Sequence, residues 1–331
     1  MLAKFALGIG TRIGAWTAAA LASSLAVLPQ APPKAAEIEF ETVRAAGPPE
    51  STVDVLFVGD GYTQRQLGGK YLKDVERYTK RLLLEQPFAS YAKRFHVRAA
   101  RIASKDEGCD LSPSADERKT AFECHLDAPD GRLIVFKRDD ELRKVVESAG
   151  PTDLVFVMVN TEIYGGAGTV LRVPGRERPL PAPTFSAQDT RSFLIAIHEL
   201  GHSFAGLADE YVDESLHETF PLPPTGQDLE DANVTLAKGF DRENRKALAA
   251  NLKWKHFLDL PGAQKHDWLH EGGYFRARGV FRPWRTCRML ENEAAFCPVC
   301  DEEVTKAILA CLGEPFDDAK HHAARPLSQW R

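Results

Sequence analysis

The chain has 331 residues, of which 44% are hydrophobic and 27% charged, with a formal net charge of −5 and an isoelectric point near 6.1. Such a chain can bury a full core, as one large domain or two modest ones. Its mild acidity excludes the basic footprint of a nucleic-acid binder, and no internal repeat is visible.

In chain order, Lys4 and Arg12 precede an apolar run, Ile13 to Leu28, in which Ala20, Leu21 and Ala22 offer a small-residue cleavage pattern. Residues 1–36 therefore read as a signal peptide, the apolar run being shorter than the roughly 20 residues of a membrane span. An uncleaved N-terminal anchor is the alternative, and without it no stable membrane insertion is expected. Pro32, Pro33, Gly47, Pro48 and Pro49 mark a flexible lead into the domain, with the linker at 37–50. The expected location is periplasmic, extracellular or cell-surface.

The folded domain is expected over 51–315. Val53 to Val58 is an apolar run ending in Gly59, Asp60 and Gly61, which predicts a buried strand and a tight turn. Leu67, Tyr71, Val75, Tyr78 and Leu82 recur at three- and four-residue intervals, the stripe of an amphipathic helix. Phe95 to Ile102 reads as a second strand, and Asp153 to Val159 as a central one, given its valines and continuous apolarity. Strands alternating with helices predict an α/β layer architecture. Residues 213–251 read as an insertion loop that either walls a cleft or is a solvated excursion. Residues 316–331 read as a polar tail, with His321 and His322 solvated.

The six cysteines suit an oxidising compartment. Cys109 with Cys124 would close a short loop, a bridge that contributes about 3 kcal/mol by loop entropy. Cys287, Cys297, Cys300 and Cys311 read as disulfides of undetermined pairing. Alternatively, Cys297 and Cys300 form a redox pair or half of a structural zinc site with Cys287 and Cys311.

The segment with the most definite chemistry is HELGHSFAGLADEY, residues 198–211. His198 and His202 stand four apart on one helical face, so both rings can reach one ion. Glu199, one residue round the turn, is placed to act on a water rather than as a further ligand of the same kind. Catalytic zinc usually takes three protein ligands and leaves a fourth position open. On an unbroken helix Asp209 would lie roughly 16 Å beyond His198. Gly206 can end the helix in the left-handed conformation and return the chain, making Asp209 the third ligand, with Glu210 as its alternative. A short motif of this kind also arises by chance. Here, however, Phe193, Leu194, Ile195 and Ile197 make the helix apolar, and burying two histidines and a glutamate in it is costly unless they are paired or bound to metal.

Residues 198–211 resemble the active-site segment of the clostridial-type immunoglobulin A peptidase family of zinc metallopeptidases. VLFVGDGYT (55–63), VNTEIYGG (159–166), LKW (252–254), GGY (272–274), CRM (287–289) and FCPVC (296–300) agree in order, so the resemblance spans roughly 51–305. It implies an α/β fold of zincin or metzincin type: a mixed twisted sheet, an active-site helix and a Met-turn at Met289 beneath the metal. It also implies one catalytic zinc ion on His198, His202 and an acid of the 209–210 pair, with Glu199 as base. Gly206 lies four residues after His202, one more than the usual metzincin spacing.

Tyr164, Gly165 and Gly166 read either as a glycine turn or, following the zincin pattern, as an edge strand that pairs with an extended substrate. Tyr211 and Tyr274 are candidate oxyanion donors. The expected activity is that of a secreted zinc metalloendopeptidase, in which Glu199 activates a metal-bound water against a protein or peptide substrate. Another zinc hydrolase, an amidase or deacetylase, would use the same ligands, and a non-catalytic zinc-containing surface module is the remaining alternative. Oligomeric state and cleavage specificity are not written in the sequence.

Overall fold

The computed structural model describes residues 38–114, 117–127, 132–236 and 252–330. The stretch read as a signal peptide and the last part of the stretch read as an insertion, 237–251, lie outside them. The described elements are β1 (Glu39–Arg44), β2 (Val53–Asp60), α1 (Leu72–Leu82), β3 (Phe95–Arg101), α2 (Asp139–Ala149), β4 (Leu154–Val159), β5 (Gly166–Ala167), β6 (Thr184–Ser186), α3 (Ser192–Ala205), β7 (His270–Gly273), β8 (Arg276–Arg282), α4 (Pro298–Cys311) and α5 (Asp318–Ala324), with shorter pieces between them.

A six-stranded mixed sheet in the order β1-β3-β2-β4-β6-β5 organises the protein. Its centre is parallel: Val55 pairs with both Val97 and Leu154, and Thr184 with Val157, while β1 and β5 run antiparallel as the two edges. The continuous apolarity of β2 and β4 follows from covering on both faces. Successive side chains alternate between two cores. Val53, Val55, Phe57, Leu154, Phe156 and Met158 face α1, α3 and α4, against Tyr71, Val75, Tyr78, Phe193, Ile197 and Val304. Leu56, Val58, Val155, Val157 and Val159 face α2, against Leu142, Val145 and Val146. The stripe expected from Leu67 to Leu82 is buried as the spacing requires, entered through a π-helical turn at Leu67–Tyr71.

Three expectations are corrected. The stretch 37–50 is not a linker throughout, since Glu39–Arg44 forms edge strand β1, paired antiparallel with β3. The tail after residue 315 is not solvated: His321 and Leu327 are buried, Arg325 pairs with Asp301 at 2.7 Å, and Trp330 Nε1 donates to the Phe296 carbonyl at 2.9 Å. The contacts of α5 with α4 are made by polar side chains, His322 on Glu302 as well as Arg325 on Asp301, which a compositional reading counts as solvated. The Cys109–Cys124 bridge is not formed, and all six cysteines are free thiols. The two thiols face other groups, Cys109 that of Thr161 and Cys124 the buried carboxylate of Asp60.

Candidate metal centre

Helix α3 carries the two histidines. Asp189 accepts the N–H groups of Arg191 (2.8 Å) and Ser192 (3.2 Å) at its entrance, satisfying donors that a helix start leaves open. At its end Gly206 takes the left-handed conformation, φ 63°. Gly206 N donates to His202 O and Leu207 N to Gly201 O, each at 3.1 Å, closing the helix with a left-handed cap.

The chain then folds back. His198 Nε2 and His202 Nε2 lie 3.1 Å apart, and Asp209 Oδ1 stands 3.0 Å from the first and 3.2 Å from the second. Each ring is oriented from behind, His198 Nδ1 donating to the Arg288 carbonyl at 2.8 Å and His202 Nδ1 to the Leu207 carbonyl at 2.6 Å. Both Nε2 atoms are thereby left facing Asp209. Outer bonds of this kind are what fix histidine tautomers in metal sites. Tetrahedral zinc with donors at about 2.0–2.1 Å separates them by about 3.3 Å, so the two imidazoles and the carboxylate fit one ion.

Electrostatics agree with the geometry. Burial would raise the Asp209 pKa, but its bonds to His198 and His202 outweigh that and hold it below the usual carboxylate range. Burial would lower the His202 pKa, but the bond to Asp209 and the charges of Asp209 and Glu199 push it up to about 9. Glu199 is half-buried beside the pair, and burial raises its pKa.

Asp209 is held by three separate segments. Asn233, fully buried, receives the Ala208 N–H at 2.9 Å and donates to the Ala208 carbonyl at 2.8 Å. At the β7–β8 turn, Tyr274 N donates to Asp209 O (2.8 Å) and Phe275 N to Tyr211 O (3.1 Å). From a third side Glu210 N donates to Met289 O at 2.7 Å. Met289 is itself buried under α3, where a Cβ placed on Gly201 would come within 2.6 Å of its sulfur. The histidine helix packs this closely on Met289 because residue 201 is glycine, since a Cβ there would force the Met289 side chain to shift.

The remaining sequence candidates separate. Glu210 does not reach the histidines. It points away from Asp209 into a buried group with Cys287, Cys297 and Cys300, where burial raises its pKa well above the ordinary value, helped by Cys287. Tyr211 lines a cleft of about 640 Å³ together with His198, Glu199, Tyr164, Gly165 and Gly166. Tyr274 is not among the lining residues; its ring packs on Phe220 and under the Arg276 guanidinium, and its contribution is its backbone N–H. Gly165 and, at the start of β5, Gly166 border the cleft, but the space a Cβ would need is already taken, at Gly165 by the Arg132 carbonyl and at Gly166 by Ile195 and the Thr184 carbonyl. They are small because the protein itself packs there.

Sequence reasoning missed Asn233, which lies within the 213–251 segment, and Gly168, whose Cβ would stand 2.9 Å from Glu199 Oε2. The glycine-dense YGGAG run at 164–168 held the signal for Gly168; nothing local marks Asn233.

The match of a family model decides what this arrangement belongs to. The model of IgA peptidase M64 covers residues 42–263, from β1 through the histidine helix and the returning acid. The chain belongs to this family. No curated protein matches it. The peptidase is thus a metallopeptidase hydrolase acting on protein or peptide. Its mixed α/β fold sets the histidine helix against the β5 edge, and no helix of the described residues is long and apolar enough to cross a membrane.

Proposed function

We propose that this M64 peptidase is an exported, zinc-dependent endopeptidase of metzincin-like fold, with zinc held by His198, His202 and Asp209 and Met289 as its Met-turn. The observation that carries the reading is the meeting of three donor atoms within 3.2 Å of one another, with His198 among them lining a cleft that Glu199 and Tyr211 also line. A zinc ion held there lowers the pKa of a water and polarises a carbonyl.

The chain's own residues do the rest. The Glu199 carboxylate takes the proton of the attacking water and returns it to the leaving amine nitrogen. Its raised pKa brings it closer to neutrality, where a general base works best. Burial, with the nearby Asp209 and Glu199 charges, raises the Tyr211 pKa, so its hydroxyl keeps its proton and can donate to the oxyanion that develops on the scissile carbonyl. Edge strand β5 and the 212–216 segment form the two walls between which an extended peptide would lie.

The test pairs metal analysis with Glu199→Ala and a panel of denatured proteins. The ion at His198 and His202 should remain in the variant while cleavage falls by roughly 10²–10⁴-fold. Chelation of wild type should abolish cleavage, and zinc should restore it. Cleavage retained by Glu199→Ala would remove Glu199 as the base, and an intact, loaded protein that cleaves nothing would overturn the endopeptidase reading.

A further inference from the structure

Behind the catalytic centre lies a second convergence of donor atoms. Cys287, Cys297, Cys300 and Glu210 are all buried, and one donor atom from each lies within 4.8 Å of the others. We propose that this group is a second, structural metal site with three thiolates and one carboxylate, of the class that takes zinc. Cys311, the partner expected from the sequence, is not part of it. Three of the four residues lie beyond the stretch covered by the family model.

Each ligand is prepared by its local backbone. Cys297 is the N-cap residue of α4, with Pro298 at the first helical position, and Cys300 lies in the first turn. The partial positive charge of a helix start favours thiolate there. Cys287 sits in a tight turn, its carbonyl accepting the N–H groups of Leu290 (3.0 Å) and Glu291 (2.9 Å), while the Cys297 N–H donates to its sulfur at 3.4 Å. Two short knuckles, one a Cys-x-x-Cys, thus face each other as in closed tetrahedral zinc sites.

Glu210 supplies the independent argument. It is fully buried; Oε1 accepts from Asn233 Nδ2 at 3.0 Å and from the Cys300 thiol at 3.4 Å, whereas Oε2 has no hydrogen-bond partner among the described residues. A carboxylate in such a place is costly unless ligated or neutralised. A disulfide would use two of the three sulfurs and leave the third thiol and Glu210 as they are. An ion engages all four, releasing the thiol protons to solvent on binding, and soft sulfur donors favour zinc over calcium or magnesium.

The site would tie the two halves of the catalytic floor together. Glu210 adjoins Asp209, and Cys287 begins the turn whose Arg288 carbonyl orients His198 and whose Met289 carbonyl receives the Glu210 N–H.

The test uses the full chain purified without chelator. Wild type should carry two zinc ions. His198→Ala/His202→Ala should keep one, and Cys297→Ser/Cys300→Ser should lose the one that the histidine variant keeps. Cobalt loading separates the sites, since only sulfur donors give an intense thiolate-to-metal charge-transfer band, and the first site offers nitrogen and oxygen alone. Wild type and the histidine variant should both show that band, whatever the outcome for peptidase activity. If the cysteine variant does not fold, these two spectra decide. Absence of the band from cobalt-loaded wild type, or an intact mass showing a disulfide among the three cysteines, would overturn the proposal.

Discussion

Gly168 touches the space of Glu199: a Cβ on it would lie 2.9 Å from Glu199 Oε2 and 3.2 Å from the Cβ of His202. The backbone N–H of the same glycine bonds the Glu199 carboxylate. Residue 168 therefore sets where the Glu199 carboxylate stands, both by its hydrogen bond and by its lack of a side chain.

Gly168→Ala should act on rate more than on stability, because the atom it meets is the free end of a side chain that can swing aside. The expected result is a fall in kcat of roughly 10–100-fold, from a misplacement of up to about 1 Å, with zinc content and unfolding midpoint close to wild type. Unchanged kcat would show that Glu199 is not positioned by Gly168.

Asn233 clips both backbone groups of Ala208 and one oxygen of Glu210. Asn233→Ala leaves these buried groups unpaired, at about 1–3 kcal/mol each, and frees the segment that carries Asp209. Zinc affinity of the histidine site should weaken by about 10–100-fold, the usual effect of removing an outer support. Competition with a chromogenic chelator measures it, and wild-type affinity in the variant would deny the clip any role.

Arg325 faces Asp301 with two bonds, at 2.7 and 3.2 Å, and the Asp301 side chain is 1% exposed. Arg325→Ala leaves a buried carboxylate without its cation and should destabilise the protein by about 3–5 kcal/mol. Chemical denaturation followed by circular dichroism reads this directly. A loss below about 1 kcal/mol, the worth of an exposed pair, would mean that the terminal segment is not docked on α4.

His321 gives a pH dependence. Burial first, then the neighbouring His322 charge, lowers its pKa to about 4. The folded state thus requires the neutral ring, and the unfolded chain protonates near 6.5. Stability from this group is fully present above pH 6.5 and is lost progressively as pH falls from there towards 4. In His321→Asn the slope of unfolding free energy against pH over that window should flatten; an unchanged slope would assign the effect elsewhere.

Much of the fold was legible in sequence because strands and helices write their burial into local periodicity. The 53–58 and 153–159 runs and the Leu67 to Leu82 stripe lie where the apolar spacing puts them. The docked tail was not legible, since the partner of Arg325 is Asp301, 24 residues away, and no pattern within the tail names it.

The sequence by itself determined that two histidines share a helical face with a glutamate between them, and that Gly206 can turn the chain back, because both follow from residue spacing and backbone freedom. Which acid arrives at the histidines was decided only in three dimensions. Asp209 and Glu210 are adjacent and chemically alike, and extended backbone sends neighbouring side chains to opposite sides. Asn233, the 274–275 turn and Met289 hold that backbone so that Asp209 meets the imidazoles and Glu210 meets the cysteines. Those contacts come from segments 23 to 79 residues away, a distance over which local sequence carries no register.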